Sequence, residues 1–348
     1  MKTTLFRSVI PSLILWVSAC TPSLPPPPPN AQPGGWTAQD SGVETALGGL
    51  FFLDEKVGWT SGGRGVVLHT QDGGVTWTPQ VTGADGILVS LFFLDERRGW
   101  VVGDKGLILR TDDGGASWTR QDSGQQGKRK KDLTQVVFSD GTLGQERGWI
   151  TAVDGLLFST TDGGAHWTSI EMKPRVTLSS LAFPDPQRGW IAGHGGAIFH
   201  TEDGGATWTR QETGSEKDLN RIFFVGPTHG WVVGFGGTIL HTTDGGKHWA
   251  SQASGVPAHL FGLAFANDQA GWTAGAGGAL LRTTDGGATW AQQSSGTLEF
   301  LIHVALSDSQ TAWAVGRKGT LIHTESGGEP PDAQAMPTAA PRDEGSRP

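Results

Sequence analysis

Gly189-Trp190-Ile191-Ala192-Gly193-His194-Gly195-Gly196-Ala197-Ile198-Phe199-His200-Thr201-Glu202-Asp203-Gly204-Gly205-Ala206-Thr207-Trp208 contains two phrases that the chain repeats from end to end. The first is a Gly-Trp pair, with its tryptophan at 59, 100, 149, 190, 231 and 272; Ala312-Trp313 makes a seventh. The steps are 41 residues, with one of 49 between Trp100 and Trp149. The second phrase has the form T-x-D-G-G-x-[ST]-W and runs in phase with the first. It places Asp72, Asp113, Asp162, Asp203, Asp244 and Asp285, with His166 and His248 replacing the Ser or Thr in two copies. A seventh copy, Thr324-Glu325-Ser326-Gly327-Gly328, lacks its tryptophan. That tryptophan stands at the other end of the chain, where Trp36-Thr37-Ala38-Gln39-Asp40-Ser41-Gly42 matches Trp118-Thr119-Arg120-Gln121-Asp122-Ser123-Gly124.

Residues 34–328 therefore tile into seven units of 41 plus one insertion of 8. A unit of this length with periodic glycine and aromatic positions reads as one four-stranded propeller blade. In the fifth unit, Ile222-Phe223-Phe224 reads as the inner strand, 230–234 as the second and 238–242 as the third; Trp249 opens the outer fourth. A solenoid would need caps at both ends, whereas these two ends complete each other. The expected fold is an all-β, seven-bladed β-propeller, closed by the N-terminal strand completing the last blade, and monomeric. Closure removes the open sheet edges on which chains aggregate.

The composition agrees. Glycine is abundant at 54 residues and charged residues are sparse at 17%, which disfavours helices. Fifteen tryptophans and an apolar fraction of 36% supply a core. The net charge of -8 argues against nucleic acid, whose phosphates need clustered Lys and Arg. A single Cys excludes an intrachain disulfide and a cysteine zinc cluster. No cofactor and no metal are expected.

That one Cys is Cys20. Lys2 and Arg7 precede a short apolar stretch, 9–17, too short to span a bilayer. Val17-Ser18-Ala19-Cys20 resembles a bacterial lipobox, in which the thiol is acylated. The other reading is an ordinary signal peptide with a chance Cys. On the lipobox reading, 1–19 is a signal peptide and the exported protein is anchored by lipid on Cys20 to an envelope membrane. Thr21, where an Asp would retain it at the inner membrane, points to the periplasmic side of the outer membrane. Residues 20–33 include Pro22 and a run at 25–29, a stiff polyproline spacer. Residues 329–348 read as a disordered tail.

The T-x-D-x-G-x-[ST]-W phrase resembles the Asp-box, or BNR repeat, of sialidase-type propellers. An Asp accepts backbone N–H groups of its own turn, so the six aspartates are read as turn locks. Each lies in a separate blade, which keeps them from converging on one substrate or metal. The same symmetry separates His69, His200, His241 and His323, read as strand-end polar residues.

Function is sought where the repeat breaks. Propeller turns alternate between two faces; opposite the Asp-boxes lie the turns between second and third strands and the links between blades. Those turns carry Arg64, then Asp104 and Lys105, Asp154, His194, Phe235, Ala276, and Arg317 with Lys318. The insertion places Lys128, Arg129, Lys130 and Lys131 on the same face. Such a run is commonly only a solvated loop. Gathered with Arg64, Lys105, Arg317 and Lys318 on an acidic protein, it is expected to dock an acidic partner. Ten residues before each repeated tryptophan stand Gly49, Ser90, Ser180, Arg221, Gly262 and His303, with Gln135 fitting after the insertion. These are expected to line the central channel, Arg221 and His303 most notably.

Sialidase chemistry uses a Tyr nucleophile, and the chain has no Tyr. Xyloglucan-type glycosidases, another Asp-box class, use paired carboxylates, for which Asp104 and Asp154 are the candidates. Taken together, Gly189-Trp190-Ile191-Ala192-Gly193 followed by Phe199-His200-Thr201-Glu202-Asp203-Gly204-Gly205-Ala206-Thr207-Trp208 is similar to the photosystem II assembly and stability factor family. The resemblance implies a seven-bladed propeller, exported and often lipidated, that holds an immature membrane protein without catalysing a reaction. It also implies a basic surface patch. The expected partner is a membrane-protein or envelope client; an envelope polysaccharide is the alternative.

Overall fold

The computed structural model of the chain describes residues 35–125, 130–139 and 146–329. Cys20, Lys128, Arg129 and nearly all of the tail lie outside the described residues. Among those residues run seven four-stranded antiparallel sheets, each a meander from inner to outer strand. The fourth blade shows the pattern: Leu178–Ala182, Gly189–Gly193, Ile198–Thr201 and Thr209–Gln211. The seventh sheet is built from both ends of the chain. Its outer strand is Thr37–Ala38, paired with Leu321–Thr324 through Thr37 opposite His323 and Ala38 opposite Ile322. The expected closure of the ring is thus what is observed.

The Gly-Trp pair is explained by what lies between blades. Each of these seven tryptophans is buried, and in six of them the indole stacks on a Phe at or just past the end of the next blade's inner strand. Trp59 lies on Phe93, Trp100 on Phe138, Trp149 on Phe183, Trp190 on Phe224 and Trp231 on Phe265, with centroids 3.7 to 3.9 Å apart. Trp313 on Phe52, at 3.7 Å, carries the pattern across the closure. The Asp-box tryptophans meet the same Phe rings edge-on, as Trp208 does Phe183 at 6.0 Å and 87°. A Phe also lies over the glycine opposite it in its own blade. A Cβ on Gly189 would come within 2.4 Å of the Phe183 ring, and one on Gly230 within 2.4 Å of Phe224. The seventh unit tolerates Ala312 because its cross-strand partner is Leu306, not Phe.

Polar groups complete each interface. Trp59 Nε1 donates to the Gly114 carbonyl of the next Asp-box at 3.2 Å, and Trp313 Nε1 to Gly73 at 2.8 Å. The same carbonyls accept from glutamines of the outer strands: Gln80 Nε2 to Gly114 at 2.7 Å and Gln39 Nε2 to Gly73 at 3.2 Å. These glutamines recur at 121, 211, 252 and 293.

The Asp-box aspartates are acceptors, as expected. Asp203 takes the Thr207 backbone N–H at 2.9 Å and its hydroxyl at 2.6 Å, while Thr201 Oγ1 donates to it at 2.7 Å. The Thr207 hydroxyl is the main cause that lowers the Asp203 carboxyl to about 2. The four histidines are more than strand-end residues. His69, His200, His241 and His323 stack on Trp59, Trp190, Trp231 and Trp313 of their own blades at 4.5 to 4.8 Å. Arg110 and Arg282 take that place over Trp100 and Trp272.

Two outcomes follow. Gly189→Ala is expected to destabilise the fold by about 1–3 kcal/mol through overpacking, measured by denaturant unfolding. Adding Phe183→Leu should cost clearly less in that background than in wild type; additive effects would contradict the account. Burial lowers the four stacked histidines below their usual 6.5. The unfolded chain then binds more protons, so their stabilisation is complete above pH 6.5 and is lost as pH falls toward the folded values. The Asp-box carboxylates add a second loss between their usual 3.8 and about 2. Melting temperature should fall below pH 6.5, and replacing the four histidines with Gln should flatten that first slope.

Candidate functional site

Every inner strand begins at a Leu and carries a register shift just after it. In the first blade Leu47 pairs with Gly62 and Gly49 with Ser61, so Gly48 is left out of the ladder. The shift recurs in all seven sheets. A bulge of this kind re-aims the unpaired residue, and here it aims it at the propeller axis. Gly48, Val89, Thr134, Ser179, Asn220, Phe261 and Ile302, one per blade, line a single cavity of about 110 Å³. Asp104, Val153 and Arg317, from turns between second and third strands, also line it. The cavity therefore opens on the face opposite the Asp-boxes.

This corrects the expected channel lining. Of the positions ten before each tryptophan, only Arg221 and His303 face the cavity. The polar ones among the others turn sideways and join blades. Ser90 Oγ accepts the Val136 N–H at 3.3 Å, Gln135 Oε1 the Leu181 N–H at 2.8 Å and Ser180 Oγ the Ile222 N–H at 3.1 Å. Gly262 has no room for a side chain, since a Cβ would meet the Val304 amide at 2.9 Å. One residue earlier, the axial position holds seven different residue types, and that variability was the sequence signal for it.

Arg221 of blade five and His303 of blade seven form a pair, Nη2 to Nε2 at 2.7 Å. A guanidinium only donates, so Nε2 accepts, while Nδ1 lies 3.2 Å from the Leu50 amide nitrogen and 3.3 Å from the Gly48 carbonyl. Burial first, and then the Arg221 charge, push His303 well below the usual histidine range. Burial also brings Arg221 down to about 10, which leaves it charged at neutral pH.

Around the mouth the seven turns divide in two. Residues at the turn tips adopt positive φ. Blades four to six place Gly195, Gly236 and Gly277 there, the residue that conformation favours. Blades seven and one to three place Lys318, Arg64, Lys105 and Asp154, at φ of 52, 60, 53 and 60°. Four adjacent blades thus hold charged side chains outward at a backbone position that disfavours them. The basic residues are interleaved with acids. Lys105 Nζ lies 3.6 Å from Asp104, Lys130 3.0 Å from Asp122 and Lys318 2.7 Å from Glu299; Lys131 pairs with Asp154. Arg64 stands exposed at its tip. The surface is a mixed-charge arc and not a uniformly basic patch. Sequence reasoning missed its counterpart, an aromatic arc on blades five to seven. Phe235 stacks on His259 at 4.3 Å, Phe261 lies 6.1 Å from Phe300, and Arg317 covers Phe300 at 4.3 Å.

The structure does not bring Asp104 and Asp154 together in the cavity. Asp104 lines the cavity but accepts the Ile87 N–H at 3.0 Å. Asp154 is exposed at its tip, held by Lys131, and does not line the cavity. Among the described residues no group of three or more His, Cys, Asp or Glu is placed to hold a metal ion.

Fold and site together define an Asp-box propeller with a scaffold face and a variable, cavity-bearing face. Its sequence places it further. The family model described as photosynthesis system II assembly factor YCF48 matches residues 81–179, 171–254 and 249–337, and the chain belongs to that family. No curated protein sequence matches it significantly. Among solved structures, it is similar to a YCF48 bound to a D1 peptide, with 23% identity and a TM-score of 0.69 over 87% of this chain and 98% of that one. It is similar also to YCF48 from Cyanidioschyzon merolae, at 21% identity and a TM-score of 0.70, over 83% and 98% of the two chains. The GH74 xyloglucanase of Xanthomonas campestris shares 15% identity and a TM-score of 0.64 over 83% of this chain and 53% of that one. At these identities the likeness is one of fold.

Replacing Lys105 or Lys318 with Gly should relieve the left-handed backbone and raise stability by up to about 1 kcal/mol. Denaturant unfolding checks this, and a loss of stability in both variants would contradict the strain.

Proposed function

We propose that this protein is a non-enzymatic binding scaffold for a membrane-protein client, which it engages through the face opposite the Asp-boxes. The observation that carries the reading is the set of four adjacent turn tips that keep Lys318, Arg64, Lys105 and Asp154 at positive φ. Residues held at such a position at a cost to the fold are commonly functional. Family membership supports the same reading, as does the D1 peptide bound by a structurally similar YCF48. Mixed charge on the arc suits a partner segment carrying both signs and fixes its register more than it adds affinity.

The anchor belongs to the same proposal. Acylation of Cys20 would hold the propeller at an envelope membrane, with residues 20–33 as spacer, on the periplasmic side of the outer membrane. Each buried acyl CH₂ contributes roughly 0.8 kcal/mol, so more than one chain gives stable attachment.

The test is a mild-detergent pull-down of the tagged chain from its native membranes. Wild type should recover a membrane complex. A variant with Arg64, Lys105, Arg317 and Lys318 changed to Glu should lose it, while Lys247→Glu on the Asp-box face should retain it. Cys20→Ser should release the protein from the membrane fraction. Recovery of the same complex by the reversed variant would overturn the docking face; recovery of nothing by wild type would overturn the client and direct attention to polysaccharides.

A further inference from the structure

The axial cavity contains a cation that the fold does not neutralise. Arg221 is half-buried in its wall and takes part in none of the ion pairs among the described residues. Its one hydrogen-bond partner there is the neutral His303 ring. A charge taken out of water without a counter-ion is costly, and the fold does nothing to offset that cost. Nearby polar atoms are unpartnered as well. Asn220 gives Nδ2 to the Leu260 carbonyl at 2.7 Å, but its Oδ1 has no partner, and neither has Ser179 Oγ. Both residues are more than nine-tenths buried and both line the cavity. Structural networks in protein interiors are nearly always satisfied. A set of open donors and acceptors around an Arg221 with no ion pair is what a ligand site looks like before its ligand arrives.

From this we infer that Arg221, His303, Ser179 and Asn220 form a binding site for a carboxylate carried on an apolar group. A guanidinium presents parallel N–H donors that match the two carboxylate oxygens. Ser179 can donate its hydroxyl to the same group. The charge balance selects a monoanion over a phosphate. Arg221 and Arg317 line the cavity, His303 is neutral, and Asp104 and Asp132 line the wall from blades two and three, so the charges of the lining balance. A dianion would leave the balanced lining with two negative charges in excess, a monoanion with one. The apolar part is set by Phe261, Phe300 and Ile302, which line the cavity on blades six and seven beside Arg221. Several waters fit in about 110 Å³, so the cavity takes the end of a chain or a small acid and not a strand passing through.

This deepens the binding reading proposed above by naming the chemistry recognised at the centre of that face. The carboxylate could be the C-terminus of a client polypeptide or a small apolar acid, and the experiment separates the two. The full chain in detergent micelles would be titrated calorimetrically with three probes. They are phenylacetate, a hexapeptide ending in Leu with a free carboxylate, and the same peptide as its C-terminal amide. The site predicts saturable binding of at least one acid, at least tenfold weaker binding of the amide than of the free peptide if the peptide binds, and at least tenfold weakening of the bound acid by Arg221→Met. Arg221→Lys should recover part of that loss. Melting temperatures of both variants confirm folding. Phenylacetate binding with no peptide binding assigns a small acid; the reverse assigns a chain terminus. Absence of saturable binding by either acid, equal binding of acid and amide peptides, or unchanged binding by Arg221→Met overturns the site. A client lost in the pull-down while an acid still binds through Arg221 would remove the scaffold reading and leave the site.

Discussion

The packing of a tryptophan from one blade against a phenylalanine of the next is the contact on which the ring depends. Burying one large apolar side chain contributes about 1.5–3 kcal/mol, and an aromatic pair of favourable geometry about 0.5–1.5 more. The pair is repeated around the ring, with Trp272 beside Leu306 as the exception. The Phe ring lies over the backbone opposite it, and this forces a glycine there. The tryptophan's N–H must be satisfied when buried, and the next Asp-box offers its carbonyl. The 41-residue repeat is therefore the spacing at which one blade supplies an indole and the following blade a phenyl ring and an acceptor. Closure obeys the same rule: Trp313 stacks on Phe52 and donates to Gly73.

A ring held together in this way has two unlike faces. On one, the Asp-box hairpins are occupied with the interface, their carboxylates locked to their own turns and their carbonyls to neighbouring indoles and glutamines. On the other, neither the turn tips nor the bulged inner residues take part in the stacking. They are free to differ, and they do. Charge gathers over blades seven and one to three, aromatic side chains over blades five to seven, and Arg221 stands at the axis between them. The division of the chain into constant and variable positions is the division of the ring into positions that build the blade interfaces and positions that do not.

Sequence reading could reach the architecture because the aromatic repeat is written in plain residue types, and because Trp36 to Gly42 duplicates a stretch found inside the chain. It placed the turn-tip residues on the right face for the same reason. It misassigned the channel lining by one residue, since a β-bulge reverses which side chain points inward and leaves no residue type of its own. Gly48, Val89, Thr134, Ser179, Asn220, Phe261 and Ile302 share no chemistry, so only their variability marks the position. The acids that offset the basic residues were equally hidden. Asp122 and Glu299 meet Lys130 and Lys318 through turns whose geometry the spacing does not specify. The family match to residues 81–337 agrees with the resemblance read from the Gly-Trp and Asp-box phrases.

The central claim is that recognition belongs to one face. Site-specific photo-crosslinking in native membranes tests it directly. A photoreactive residue would be placed at Lys105 or Asp154 on the variable face, and at Val75 or Ala206 on the Asp-box face. The account predicts a discrete adduct with a membrane protein from the first pair and none from the second. Adducts of equal yield from both faces, or from Val75 and Ala206 alone, would contradict it.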